Sequence, residues 1–191
     1  MKKRFGIDID GTVTCPSTFV PYLNDAFNLN ITLNDIKQYD FMPLVDVSEK
    51  EFAKWFHNIE PKIYSESPFA AGARGILKKW EQVHDLYFIS ARGSHLFEVT
   101  KNWFHEHGLK LNTIDLLGSH DKVEAAKKYD VEIFFEDKHD NAVMLHEECK
   151  IPVLLFNTPY NQDPIPNGVI RVNNWKEANL WVDHWLKPHS L

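Results

Sequence analysis

Cysteine is scarce in this chain. Cys15 and Cys149 are the two present in 191 residues, too few for a disulfide framework or a four-cysteine zinc site, and a reducing cytoplasm is the expected compartment. Long apolar runs are missing too. No stretch approaches the roughly 20 apolar residues of a membrane span, and the opening MKKRFGIDIDG is interrupted by Asp8 and Asp10 before a signal-peptide core can develop. Nor is there a surplus of positive charge. A net charge of −6 and a pI near 5.9 argue against a broad basic surface for nucleic acid polymers. Small anions need only a few local donors and stay within reach.

What is present is ordinary for a folded globular chain: 43% hydrophobic and 25% charged residues. The length suits one core domain with one appendage. Short β-branched and aromatic runs at 5–9, 85–90, 113–117, 132–135, 153–156 and 169–172 read as buried strands. Amphipathic segments at 75–83, 96–107 (with Gly108 as a stop) and 122–129 lie between them. Strands alternating with helices imply parallel pairing through crossovers, hence a doubly wound α/β sheet. The alternation breaks from 16 to 67, where helical patterns at 19–27, 32–39 and 48–59 replace strands. Ser48 and Glu51 form a capping box at the start of the third. This divides the chain into a core, 1–15 with 68–191, and a helical insertion, 16–67. The tryptophan-rich stretch 174–185 reads as a final helix packed on the core.

In parallel α/β sheets the ligand crevice lies beyond the carboxyl ends of the strands. Three of those ends carry unusual chemistry: Asp8, Asp10, Gly11 and Thr12 after the first strand; Ser90, Ala91, Arg92 and Gly93 after the second; and Glu136, Asp137, Lys138, His139 and Asp140 after the fourth. Acids converging from separate strand ends require a cation, and hard oxygen donors without a histidine or cysteine grouping favour magnesium over zinc. Ser90, the loop amides at Ala91 and Lys122 at a helix start could bind phosphate oxygens, and Arg92 could reach phosphate or form a salt bridge. Metal and donors converging on one anion is the equipment of phosphoryl transfer.

Asp8, Asp10, Gly11 and Thr12, then Ser90, then Lys122, then Glu136 and Asp137 resemble the four ordered motifs of the haloacid dehalogenase-like superfamily. The resemblance implies Asp8 as the nucleophile that forms an aspartyl-phosphate, Asp10 as general acid and base, and Ser90 and Lys122 as phosphate ligands. It also implies Mg2+ on Asp8, the Asp10 backbone carbonyl and Asp137, with Glu136 and Asp140 as alternative metal ligands. Asp10 separates phosphatases from dehalogenase-type members, which lack this second acid. The insertion occupies the place of a helical cap, and the layout resembles the 5′(3′)-deoxyribonucleotidase branch and its bacterial nucleotidase relatives. Phe19 and Tyr22 are then candidates to stack on a base.

The reading that follows is a magnesium-dependent phosphomonoesterase acting on a small phosphorylated metabolite, a nucleoside monophosphate first. A phosphatase of another small metabolite and a non-catalytic phospho-acceptor module are the alternatives, and a homodimer is left open.

Overall fold

Six short strands form one sheet: β1 (Arg4–Ile7), β2 (Asp85–Ser90), β3 (Thr113–Leu116), β4 (Ile133–Glu136), β5 (Val153–Phe156) and β6 (Val169–Val172). The structure, a computed structural model, describes residues 2–110 and 113–187, so the outermost positions of the expected core, 1 and 188–191, lie outside it. The strand order is β3-β2-β1-β4-β5-β6 and every pair is parallel. Every residue of β4 and β5 is buried, because crossover helices cover both faces of a parallel sheet.

The helices are α1 (Val20–Phe27), α2 (Glu49–Glu66), α3 (Ala73–Trp80), α4 (Phe97–Glu106), α5 (Val123–Lys128), α6 (His139–Cys149) and α7 (Trp175–Trp185). One face of the sheet packs an aromatic core, with Phe5 edge-on to Trp80 at 5.1 Å and Phe135 stacked with Trp175 at 5.9 Å. The other face buries Ile89, Phe134, Leu145 and Val153. No helix among the described residues is long and apolar enough to cross a membrane.

Three local differences from the sequence pattern have physical causes. The helical spacing at 32–39 yields only one turn, Leu33–Asp35. Thr32 and Asp35 bond each other reciprocally, and Ile36 then turns extended to bury its side chain. The helix expected at 48–59 continues to Glu66 through Pro61. The proline forfeits one backbone hydrogen bond, but Ile63 and Tyr64 beyond it are buried, which carries the helix past the break. Helix α6 has little amphipathic signal, since it buries Asn141 with Ala142 and Leu145.

The chain steps from β1 to β2 and β3 on one side, then crosses to β4 on the other. The carboxyl end of β1 therefore lies at the switch point, flanked by those of β2 and β4. The insertion is rooted beside this point. Cys15 N–H donates to the Pro68 carbonyl at 2.8 Å, Ala70 N–H to Val13 at 2.9 Å, and Thr14 and Phe69 form an antiparallel bridge. Its incoming and outgoing strands are thereby clamped together.

Candidate active site

Beyond β1 the backbone makes a wide turn, closed by Thr14 N–H donating to the Ile9 carbonyl at 2.9 Å. Gly11 enables it: its φ is +77°, and a Cβ there would stand 2.2 Å from Asp137 Oδ2. The turn separates the two aspartates. Asp8 is buried and faces Lys122 and the β4 end, while Asp10 faces the β2 loop.

Lys122 is the buried centre of the first group. Its Nζ donates to Asp8 Oδ1 and, at 2.7 Å, to Glu136 Oε2. Glu136 Oε1 accepts the backbone N–H groups of Asp137 and Lys138 at 3.2 and 3.1 Å. Asp137 Oδ2 accepts the Tyr160 hydroxyl at 2.5 Å, and Asn161 Nδ2 donates to the Asp137 carbonyl at 2.6 Å. Carboxylate oxygens of Asp8, Glu136 and Asp137 lie within 4.8 Å of one another.

Three buried carboxylates share one ammonium, which leaves two negative charges in a site of low dielectric. Burial pushes the Asp8 carboxyl up to about 7 against the pull of Lys122. Burial, reinforced by Asp8 and Glu136, holds Asp137 well above the carboxylate range. Lys122 is held above its ordinary value because its two carboxylates outweigh its burial. Asp137 Oδ1 is buried without a hydrogen-bond partner. An all-oxygen donor set with excess negative charge and an orphaned carboxylate oxygen fits a hard divalent cation.

Arg92 organises the second group. Its Nε and Nη2 donate to Asp10 Oδ2 and Oδ1 at 2.8 and 2.7 Å, and its Nη1 donates to Thr100 Oγ1 at 2.9 Å. The guanidinium lies 3.9 Å from the centre of the Tyr64 ring of α2. Arg92 is thus a buried clamp on Asp10 rather than a surface ion pair. Ser90 is buried at the end of β2, where its Oγ accepts the Arg92 N–H at 3.2 Å.

A cavity of about 700 Å³ opens over these groups, within the size range of small-molecule sites. Asp10, Ala91, Arg92 and Asp137 line its floor; Phe19, Phe41, Phe52 and Phe56 from the insertion line its wall. Tyr39 reaches across, edge-on to Tyr160 at 5.8 Å and to His120 at 5.4 Å, with Lys138 Nζ 4.7 Å from its ring centre.

Phe19 lies on the cavity wall, packed against Phe41 and Phe56. Tyr22 does not line the cavity, because its hydroxyl donates to Glu66 at 2.6 Å and its ring packs on Ile63, Tyr64 and Leu96. Asp140 lines the rim with an exposed side chain near His139 and stands outside the close carboxylate group. Sequence reasoning passed over Tyr160, Asn161, Thr100 and Tyr64. None carries a motif; Tyr64, Tyr160 and Asn161 are brought in by packing from distant segments, and Thr100 by the helix that follows the β2 loop.

Solved structures share this architecture. The "putative HAD-hydrolase YfnB" from Bacillus subtilis, described as bound to magnesium, superposes with a TM-score of 0.61 over 95% of this chain and 99% of its own, at 13% identity. The fold is that of the haloacid dehalogenase-like hydrolases. No family model matches the chain. "Putative nucleotidase BH1399" of Halalkalibacterium halodurans is 50% identical over 97% of this chain and 95% of its own length. "Putative nucleotidase YqfW" of Bacillus subtilis is 47% identical over 95% and 94%. The chain belongs to the family of these putative nucleotidases.

Proposed function

We propose that the protein is a magnesium-dependent phosphomonoester hydrolase whose substrates are nucleoside 5′-monophosphates, with the 16–67 insertion as its cap. The observation that carries the reading is the convergence of Asp8, Lys122, Glu136 and Asp137 on one buried point beneath a cavity walled by aromatic rings.

Asp8 is the nucleophile. A carboxylate oxygen attacks phosphorus, the bond to the ester oxygen breaks, and an aspartyl-phosphate forms on Asp8. Asp10 gives a proton to the departing alkoxide, then takes one from the water that hydrolyses the aspartyl-phosphate, returning phosphate and Asp8. Arg92 is a positioning residue, which fixes the Asp10 carboxyl through two hydrogen bonds. Ser90, the Ala91 amide and Lys122 bind the phosphoryl oxygens, and Lys122 also aligns Asp8. Asp8, Asp137 and the Asp10 carbonyl would hold Mg2+, with Glu136 supporting the site through Lys122. The ion supplies neutralisation of the charge between an anionic nucleophile and an anionic substrate.

The cavity volume and the rings of Phe19, Phe41 and Phe56 suit a base and sugar, which favours a nucleotide over a smaller ester. Phosphate release from ribo- and deoxyribonucleoside monophosphates, sugar phosphates and an aryl phosphate, each with and without magnesium, tests this. Magnesium-dependent turnover with the highest kcat/KM on a nucleotide is expected. Stronger turnover of a sugar phosphate would reassign the substrate, and absence of turnover on every ester would remove the enzymatic reading.

A further inference from the structure

A second cluster of metal-ligating side chains is formed by His57, Glu60 and His95, distinct from Asp8, Glu136 and Asp137. His57 and Glu60 stand three residues apart on α2, which places them on one helical face. His95 comes from the turn Ser94–Leu96 that follows the β2 loop. Glu60 is buried, and its Oε1 lies 3.3 Å from His57 Nδ1 and 2.9 Å from His95 Nε2.

These separations can be set against what a transition metal requires. With bonds of about 2.0–2.1 Å, neighbouring donors of a tetrahedral zinc ion stand about 3.3 Å apart. The Glu60–His57 edge, 3.3 Å, matches that length, the Glu60–His95 edge, 2.9 Å, is a hydrogen bond that need open by only about 0.4 Å to reach it, and all three donor atoms fall within 4.8 Å of one another. The His95 ring lies against Gly93, where a Cβ would come within 2.7 Å of Nδ1, so the glycine makes room for this ring position. Two imidazoles and one carboxylate suit a borderline-soft transition-metal ion, in contrast to the all-oxygen group beneath β1. The imidazoles are 71% and 53% exposed, which gives an ion a path from solvent and leaves a face for a fourth ligand.

We propose that His57, Glu60 and His95 form a binding site for a zinc-class divalent ion, separate from the magnesium site. The ion ties α2 of the insertion to the loop that carries Arg92. It takes the place of the direct contacts between the Glu60 carboxylate and the imidazoles, each imidazole binding through a nitrogen that carries no proton. The consequence is a cross-link between insertion and core at the rim of the cavity, which Glu60 also lines. The proposal is independent of the phosphatase reading, because its test reads binding rather than turnover.

Cobalt(II) titrated into the full chain in excess magnesium provides that test, since tetrahedral cobalt with nitrogen ligands absorbs visible light far more strongly than octahedral cobalt on oxygen. One equivalent of a saturable visible band is expected. The band should be lost in His57→Ala and in His95→Ala, retained in Asp137→Asn, and displaced by zinc. Zinc should also raise the melting temperature of the wild type and of neither histidine variant. Both imidazoles are largely exposed, so unchanged metal-free melting is expected to verify that the variants fold; His57→Gln supplies a second probe if His57→Ala melts early. Absence of the band, or its survival in the histidine variants, would overturn the site and leave the cluster an ordinary imidazole–carboxylate salt bridge.

Discussion

The carboxyl end of the sheet and the insertion above it are built from opposite materials. Beneath β1, four ionisable side chains are buried together and held by hydrogen bonds from Lys122, Tyr160 and backbone amides. In the insertion, Phe19, Phe27, Phe41, Phe52, Trp55 and Phe56 pack ring against ring. A polar network has few satisfactory arrangements and fixes atoms closely, as handling one reacting group demands. Burial of apolar ring surface is non-directional and can accept varied surfaces. Under the proposed function, phosphoryl chemistry falls to the sheet and choice of leaving group to the insertion.

The sharpest break in that contrast is at Asp8. Asp8→Asn should reduce kcat by at least about 10³-fold on every substrate, since the amide cannot accept the phosphoryl group. The same variant reports on charge. Asp8 is raised to about 7 in the fold from 3.8. A carboxyl raised in this way contributes stability that is complete below its unfolded value and is lost as pH rises through its folded one. The metal-free protein should therefore lose stability between about pH 4 and pH 7, and Asp8→Asn should flatten that slope. Differential scanning calorimetry in chelator reads both, and an unchanged slope would mean that burial of Asp8 is not the cause.

Lys122→Ala leaves Asp8 and Glu136 buried without their shared cation. A loss of about 3–5 kcal/mol in unfolding free energy is expected, measured by urea denaturation, together with loss of turnover. A milder change acts on the proposed cation site: Tyr160→Phe removes one donor to Asp137, and magnesium affinity by calorimetry should fall about 10-fold or more. Equal affinity would detach Tyr160 from the site.

In the insertion the expected effects are smaller and selective. Phe19→Leu should lower kcat/KM for nucleotides by the equivalent of about 1–3 kcal/mol, the worth of a base stacked on an aromatic ring. An aryl phosphate should be affected less. Equal losses on both substrates would make Phe19 purely structural and erase the division of labour. Tyr22→Phe, which removes only the bond to Glu66, should leave substrate preference unchanged.

Sequence was most informative where residues act next to their own strand. The six strands, Gly108 with φ +66° after α4 and the Ser48–Glu51 capping box follow from local periodicity and turn chemistry. The acids at the strand ends were visible for the same reason: each lies within two residues of an apolar run. The continuation of α2 through Pro61 was not, because burial of Ile63 and Tyr64 outweighs the local cost of the proline. Tyr22 shows the reverse failure. Its helical spacing suits either face, and Glu66, forty-four residues away, decided which one it took.

By itself, then, the sequence determined the strands, the order of the acidic and basic motifs, and the position of the insertion, since these depend on neighbours along the chain. Tertiary structure decided how the motifs divide their contacts: Lys122 between Asp8 and Glu136, Arg92 clamped on Asp10, Tyr160 on Asp137, and His95 beside Glu60. Each of these pairs joins segments that local pattern cannot relate. Only the parallel stacking of strand ends, with buried charges each requiring a partner, brings them within hydrogen-bonding distance.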